Sequence, residues 1–199
     1  MVYNKTIILK DGRECLLKNG TAADGAACLD LFLRTHEQTD FLASYPDECT
    51  MTAESEAEFL QKASDSDNEI EILAVVNGQT VGSAGIEAHG SSSKMRHRAD
   101  FGISVDCEYW GLGIGNALMD ACLSCAVKAG YKQIELGVVA TNDKAISLYQ
   151  KKGFVEYGRN PKAFVSRHSG YQEMILMRKE LNTIFLAIYS TIKKVMPYT

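Results

Sequence analysis

The chain has 199 residues, of which 46% are apolar and 23% are charged, a composition that is ordinary for a soluble globular protein. This length predicts one domain that can bury a sizeable core. The net charge of −4 argues against the basic surface that nucleic-acid binding requires. The sequence contains no apolar run of about 18 residues, and its first residues lack the regions of a signal peptide. We therefore expect a cytoplasmic protein without a membrane span or a nucleic-acid partner.

The first half of the sequence predicts two β-hairpins with two helices between them. Asp11-Gly12 and Asn77-Gly78 are strong hairpin-turn signals, and each lies between two apolar stretches. Pro46 breaks the region between the two predicted helices. The predicted elements are the strands Thr6–Lys10 and Glu14–Lys18, the helices 22–38 and Thr52–Ala63, and the strands Glu69–Val76 and Thr80–Ala88.

The second half predicts the succession strand, glycine turn, helix, strand, helix, followed by two more strands. This order is typical of an α/β domain that binds a ligand at the turn. A loop that contains Pro161 and Ser169-Gly170 is predicted between the last two strands. The predicted elements are the strand Phe101–Val105, the turn Tyr109–Asn116, the helix Ala117–Lys128, the strand Gln133–Val139, a helix from Asp143 that ends near Lys152, and the strands Phe154–Arg159 and Tyr171–Arg178.

Residues 182–199 form a C-terminal tail that follows the predicted single domain, residues 1–181. Ile184, Ile188, Ile192 and Val195 recur at helical spacing, which predicts an amphipathic helix. A helix packed on its own domain, a homodimer contact and a disordered end are all compatible with this pattern. The apolar run is too short for membrane insertion.

Two of the six cysteines form the pair Cys122-x-x-Cys125. That spacing occurs in metal and redox sites, but here it has no second pair and lies inside a predicted helix. We expect both thiols to pack in the core, and we expect no metal site.

Gly111, Gly113 and Gly115 alternate in the turn, which allows the backbone to approach a ligand closely. The N–H groups at the start of the following helix lack intrahelical partners and favour an anion such as a pyrophosphate. A P-loop would need Gly-Lys-Ser/Thr here, and a dinucleotide fingerprint would need its third glycine at Asn116 or Leu118. Both familiar phosphate loops are therefore excluded.

A second motif follows the turn at a distance that makes the pair specific. The sequence Trp110-Gly111-Leu112-Gly113-Ile114-Gly115, together with Asn142 through Leu148-Tyr149 and Lys152-Gly153-Phe154, resembles the acetyl-CoA motif of the GNAT superfamily of N-acetyltransferases. The resemblance implies an α/β (mixed α+β) fold, in which a strongly twisted mixed β-sheet of about seven strands is flanked by about four helices.

The resemblance also implies acetyl-CoA as the acyl donor. In this family the strand that ends at Val105 and the strand Gln133–Val139 part like a V, and the pantetheine arm fills the gap. Trp110 stands where the family usually has Gln or Arg, so a side-chain contact to phosphate is lost. The cofactor-binding residues that the resemblance implies are Ile103, Ser104, Val105, Trp110, Gly111, Leu112, Gly113, Ile114, Gly115, Asn116, Asn142 and Tyr149.

Asn142 and Tyr149 each have two interpretations. Tyr149 lies seven residues after Asn142, on the same face of the predicted helix. The resemblance implies that Tyr149 is the general acid that protonates the departing CoA thiolate, whereas a buried core tyrosine is the alternative. Asn142 can contact the cofactor, cap the helix that begins at Asp143, or do both.

The general base is not specified by these motifs. An ammonium ion has no lone pair, so some group must accept a proton before the amine attacks the thioester. Some family members carry glutamate five residues before the asparagine, where this chain has Gly137. Glu87, His97 and Asp100 are candidates on strands that lead toward the cleft, and a water chain to a more distant group is an equal alternative.

The family builds its acceptor site largely from the first two helices and their loop. An acidic wall there would attract a cationic amine, although an ordinary solvated helix face explains the same residues. The function implied is transfer of acetyl from acetyl-CoA to a primary amine, of a small molecule or a protein, by direct attack in a ternary complex. The alternatives are a non-catalytic acyl-CoA-binding sensor and a transferase whose donor carries another acyl group, such as succinyl or propionyl. The polar residues of this region are Glu37, Asp40, Tyr45, Asp47, Glu48, Glu54, Glu56 and Glu58.

Overall fold

The computed structural model describes residues 1–181, which form one mixed β-sheet flanked by helices. Over these residues the sheet has eight strands, in the order β1-β2-β3-β4-β5-β6-β8-β7. The predicted fold class is confirmed, with one strand more than the approximate number expected. The strands are β1 (Asn4–Ile8), β2 (Glu14–Asn19), β3 (Ile70–Val76), β4 (Gln79–Ala88), β5 (Arg98–Val105), β6 (Gln133–Val139), β7 (Val155–Ser166) and β8 (Gly170–Glu180), and the α-helices are α1 (Gly25–Gln38), α2 (Ala53–Asp65), α3 (Ile114–Lys128) and α4 (Asp143–Lys151).

The core lies on both faces of this sheet. Ile72 belongs to the large apolar cluster that includes Leu118 and Cys122 of α3, whereas its neighbour Leu73 packs with Cys28 of α1 and Leu60 of α2. Because successive side chains of a strand point to opposite faces, α3 covers one face and the α1–α2 pair covers the other. Within residues 1–181, no helix is long and apolar enough to cross a membrane.

Several predicted boundaries differ from those of the structure; β5, for example, begins at Arg98 rather than Phe101. Helix α3 begins at Ile114 rather than Ala117, because Gly113 serves as its N-cap residue. Strand β7 continues past Pro161 to Ser166, so the predicted long loop is only a turn of residues 167–169. Proline is tolerated there because β7 is an edge strand whose register shifts between Asn160 and Phe164. The prediction of a helical tail, residues 182–199, lies outside the described residues.

Strands β5 and β6 are the parallel neighbours in the sheet, and they separate after a short contact. Their register pairs residues 98–100 of β5 with residues 133–135 of β6, although β5 continues to Val105 and β6 to Val139. All other neighbouring strands are antiparallel. The predicted V-shaped opening is therefore confirmed, and it positions the candidate site.

Candidate functional site

The open part of β5 presents backbone groups to the cleft between the parted strands. The carbonyl of His97 accepts a hydrogen bond from the first residue of β6, whereas that of Arg98 accepts one from the residue after β4. Backbone N–H and C=O groups of successive residues point to opposite sides of a strand. The backbone groups of the odd-numbered residues of β5 therefore point toward the cleft. Ile103 and Val105 accordingly face it, as the predicted contacts to a pantetheine arm require. The backbone of Ser104 faces β4 instead.

The glycine turn has the backbone geometry that an anion site needs. Gly111 and Gly113 have φ angles of +81° and +102°, a region that residues with a side chain rarely adopt. The first helical bond of α3 runs from the N–H of Ala117 to the carbonyl of Gly113, at 3.1 Å. The N–H groups of residues 114–116 therefore precede the helical ladder and point out of its positive end. The turn fits a pyrophosphate.

Trp110 occupies a position between the turn and β5. Its indole Nε1 donates a 2.7 Å hydrogen bond to the carbonyl of Val105, so that cleft-facing oxygen already has one donor. The ammonium of Lys144, in the first turn of α4, lies 4.8 Å from the centre of the indole ring. The predicted loss of a polar side chain at Trp110 is thus accompanied by a cation beside the turn, which the sequence analysis missed.

Asn142 caps α4, as one of its two interpretations predicted. Its side-chain oxygen accepts a 3.2 Å hydrogen bond from the N–H of Ala145. Tyr149, later in that helix, is buried with an exposed fraction of 6%. Its ring lies edge-on to Phe101 of β5, with centroids 6.4 Å apart, and burial raises the pKa of its phenol to about 12. Tyr149 therefore sits where β5 leaves β6.

Two cavities lie near the loop that follows α1. The larger, about 570 Å³, lies between the end of α1 and the β7–β8 turn, and it borders neither β5 nor the glycine turn. Arg167, which lines this cavity, donates to Asp47 at 2.7 Å and to the nearby Glu48 at 3.1 Å. Asp40 accepts hydrogen bonds from Ser166 at 2.6 Å and from Gln172 on β8. These pairings tie the α1–α2 loop to the β7–β8 hairpin, so these acids do not form a free wall.

The smaller cavity, about 370 Å³, opens on β5 and is called here the β5 cavity. Within residues 1–181, its charged lining is entirely acidic, with Glu71 from β3, Glu87 from β4 and Asp100 from β5. Asp100 also contacts the imidazole of His89, at 2.7 and 2.9 Å. The other lining residues are Leu42, Ser83, Gly85, Phe101, Gly102, Ile103 and Ser104.

Of the three candidate bases, Glu87 and Asp100 line this cavity and His97 does not. The prediction that His97 lies on a strand leading toward the cleft is wrong. His97 lies in the turn before β5, at the end where β5 and β6 are still joined. Its backbone carbonyl is held there by the N–H groups of Lys132 and Gln133.

Glu71 is the acidic residue that the sequence analysis missed. Burial raises the pKa of its carboxyl to about 8, opposed by a hydrogen bond from the Ser83 side chain and supported by the nearby charges of Glu56 and Glu87. The available signal was a glutamate between two isoleucines at the start of an apolar strand. Such a residue reads as the outward face of an amphipathic strand, because only the tertiary structure shows that α1 and α2 cover that face.

Gly137, where some family members carry glutamate, lies against Met174 of the neighbouring strand β8. A Cβ atom at Gly137 would lie 2.5 Å from the sulfur of Met174, so a larger residue there would require this side chain to move.

The cysteine pair packs in the core. Cys122 and Cys125 are buried in α3, and the thiol of Cys122 lies 3.4 Å from the carbonyl of Ala84 on β4. Among residues 1–181, no group of three or more histidine, cysteine or carboxylate side chains could hold a metal ion.

Comparison with known proteins agrees with this geometry. The family model described as Acetyltransferase (GNAT) family matches residues 31–154. The chain is 31% identical over 110 residues to the L-amino acid N-acetyltransferase AaaT of Escherichia coli K12, a match that spans 55% of this chain and 67% of that protein. It is 36% identical over 83 residues to an uncharacterized N-acetyltransferase of Methanocaldococcus jannaschii, a match that spans 41% of this chain and 37% of that protein.

Solved structures share the fold. An acetyltransferase of the GNAT family from Streptococcus pneumoniae aligns with a TM-score of 0.80 at 30% identity, over 83% of this chain and 99% of that chain. YncA of Salmonella typhimurium, whose structure holds its cofactor acetyl-CoA, aligns with a TM-score of 0.75 at 17% identity, over 84% of this chain and 94% of that chain. Since the family model covers more than half of its length, the chain belongs to the acetyltransferase (GNAT) family and is an acyltransferase that takes the acetyl group from acetyl-CoA.

Proposed function

We propose that the protein transfers acetyl directly to a primary amine while donor and acceptor are bound together. The observation that carries this proposal is the position of the β5 cavity. It shares Ile103 and Ser104 with the open part of β5, and the glycine turn follows that strand after a short link. A donor lying in the cleft and an acceptor lying in the cavity would meet across β5.

The donor is held mainly by backbone groups. The cleft-facing backbone of Ile103 and Val105 binds the amides of the pantetheine arm. The N–H groups of the turn and of residues 114–116 bind the pyrophosphate. Lys144, stacked on Trp110, supplies a positive charge near those phosphates in place of the polar side chain that other members carry.

Tyr149 acts on the departing sulfur. A phenol whose pKa is about 12 keeps its proton throughout the neutral range, so it always has one to donate. A thiol in water has a pKa of about 8.5, which makes the phenol the weaker acid. The same burial would raise the pKa of the CoA thiol beside Tyr149, so the pKa values of the thiol and the phenol would differ less than they do for a thiol in water.

The acceptor is a small amine that is positively charged before reaction. The acidic lining of the β5 cavity favours a cation, and a volume of about 370 Å³ suits a small molecule. The name of the E. coli relative gives L-amino acids as its acceptors. An α-carboxylate would meet acidic side chains in this cavity, so we propose that an amine lacking that carboxylate is the better acceptor here.

The test is release of free CoA thiol from acetyl-CoA over a matched set of amines. Phenethylamine, L-phenylalaninamide and L-phenylalanine differ at the carboxyl position, and spermidine, an aminoglycoside and a short peptide extend the set. We expect amine-dependent release, faster with the first two than with the amino acid. Binding of acetyl-CoA without release from any amine would overturn the proposal and favour a sensor. A preference for the free amino acid would overturn the acceptor class alone.

A further inference from the structure

Glu71 lies in a row of residues that crosses the sheet to the cleft. It is the register partner of Gly85 on β4, and Gly85 is the register partner of Gly102 on β5. Neighbouring strands lie about 4.8 Å apart, so Gly102 is about 10 Å from the backbone of Glu71. Strand β5 is not paired with β6 at Gly102, so the row continues from Gly102 into the open cleft.

The glycine at position 85 lets the carboxyl of Glu71 extend along this row. The oxygen Oε2 of Glu71 lies against Gly85, in the space that a Cβ atom at that position would occupy. The carboxyl therefore lies over β4, one strand nearer to the cleft than its own backbone. From there the next residue in the row is Gly102, at a distance of about 5 Å.

Among residues 1–181, nothing occupies the space above Gly102. A Cβ atom added there would have no heavy atom of these residues within 4 Å. Ser83 and Ser104, which are partners in the next row, also have small side chains and line the same cavity. A molecule above Gly102 would have the carboxyl of Glu71 on one side and the cleft on the other.

We infer that Glu71 is the general base of the reaction and that the acceptor amine binds above Gly102, between this carboxylate and the thioester. This inference rests on the proposed acetyl transfer. The carboxylate takes one proton from the bound ammonium, and the freed nitrogen lone pair forms the C–N bond at the thioester carbon. The C–S bond then breaks, Tyr149 gives its proton to the sulfur, and the second proton of the nitrogen restores Tyr149. Solvent finally takes the proton from Glu71.

The electrostatic surroundings suit such a base. The titratable groups around Glu71 are the carboxyls of Glu56 on α2, Glu87 on β4 and Asp100 on β5 and the thiol of Cys28 on α1. The thiol of Cys122 on α3 lies on the opposite face of the sheet. Burial raises the pKa of both thiols, so they stay neutral at neutral pH. An ordinary carboxyl has a pKa near 4.3, far below that of an amine, whereas a base with a pKa of about 8 can accept the proton of an amine more readily.

The experiment compares Glu71→Gln with Glu14→Gln, which changes an exposed carboxylate on β2. It uses whichever amine of the matched set the wild-type enzyme acetylates fastest. We expect Glu71→Gln to lower kcat at least about 100-fold with an unchanged Kd for acetyl-CoA, and Glu14→Gln to match the wild type. In the wild type kcat/KM should rise with pH through an apparent pKa near 8, and Glu71→Gln should lose that dependence.

A merely structural role would give a different result. Turnover of Glu71→Gln within about threefold of wild type, with the rise of kcat/KM retained, would overturn the inference. If Glu71→Gln kept the rise of kcat/KM with pH and either Glu87→Gln or Asp100→Asn lost it, the residue replaced in that variant would be the base. A wild-type enzyme that acetylates no amine would instead contradict the proposed function, which separates the two failures.

Two further measurements keep the inference testable if Glu71→Gln folds poorly. Gly102→Ala fills the proposed amine position without a clash, so it should raise the KM for the amine at least about tenfold and leave the Kd for acetyl-CoA unchanged. An unchanged KM would place the amine elsewhere. The folded carboxyl keeps its proton up to about pH 8 while an unfolded one loses it near 4.5, so wild-type stability should fall across this interval. Glu71→Gln should lack that fall.

Discussion

Arg98 and Glu135 form a bidentate ion pair where β5 and β6 part. The guanidinium donates from Nε and from Nη2 to the two carboxylate oxygens, the second at 2.7 Å. Tyr157 of β7 donates to the same carboxylate at 3.0 Å. The register partner of Glu135 is Asp100, the last residue of β5 that is paired with β6. The ion pair therefore fixes the vertex of the V-shaped cleft.

The first prediction concerns this vertex. Because Glu135 is buried and Arg98 is partly buried, Glu135→Gln should lower the free energy of unfolding by about 2–3 kcal/mol. The control is Glu156→Gln, which breaks an exposed pair with Arg159 and should cost at most about 1 kcal/mol. Chemical denaturation measures the free energy of unfolding of both variants. Equal losses would show that the buried pair stabilises the fold no more than the exposed pair does.

The second prediction is that stability depends on pH through the pKa of the Glu135 carboxyl. The hydrogen bonds from Arg98 lower the pKa of this carboxyl to about 2, below its ordinary 4.5. Its stabilising contribution is therefore complete above about pH 4.5 and is lost as pH falls toward 2. Between pH 5 and pH 3 the wild type should lose stability more steeply than Glu135→Gln, as measured by denaturation at each pH. If the stability of the two proteins fell in parallel with pH, the lowered pKa of Glu135 would not be the cause of the acid sensitivity.

The third prediction tests the general acid. Tyr149→Phe removes one hydroxyl and keeps the packing against Phe101 and Phe154, so we expect kcat to fall about 10- to 100-fold at an unchanged Kd for acetyl-CoA. Tyr171→Phe is the control, because that tyrosine is 64% exposed on β8. Steady-state kinetics and calorimetric binding make the comparison. Unchanged turnover in Tyr149→Phe would eliminate its assigned role.

The fourth prediction tests the glycine turn. Gly113→Ala places a side chain at a φ of +102°, which should cost about 1–2 kcal/mol and disturb the start of α3. We expect a raised Kd for acetyl-CoA, by about tenfold, and a lower melting temperature. Gly115→Ala is the control for stability, because the backbone there is helical and its new Cβ would make only ordinary contacts of 3.6 Å or more. Equal melting temperatures would contradict the conformational argument.

The fifth prediction concerns the cation beside the turn. Lys144→Met should raise the Kd for acetyl-CoA about three- to tenfold and weaken its dependence on salt, since one charge near the phosphates is lost. Lys151→Met, at the other end of α4, is the matched control. Similar Kd values for the two variants would mean that Lys144 does not contact the phosphates.

The sequence by itself determined the segment from β5 to α4. Its signals are local: positive φ values favour glycine at Gly111 and Gly113, and Asn142 caps the helix that starts one residue later. Apolar periodicity located the strands on either side. The predicted boundary of α3 was wrong by three residues, because periodicity does not show which glycine ends the turn.

Only the tertiary structure decided how distant segments share the site. The row Glu71–Gly85–Gly102 depends on the register of three strands, and nothing local in β3 marks Glu71 as facing a cavity. The pairing of Asp40 and Asp47 could not be read locally either, because each finds its partner more than a hundred residues later. Strand register and helix packing place such groups together, and both are set by contacts between residues that the chain separates widely.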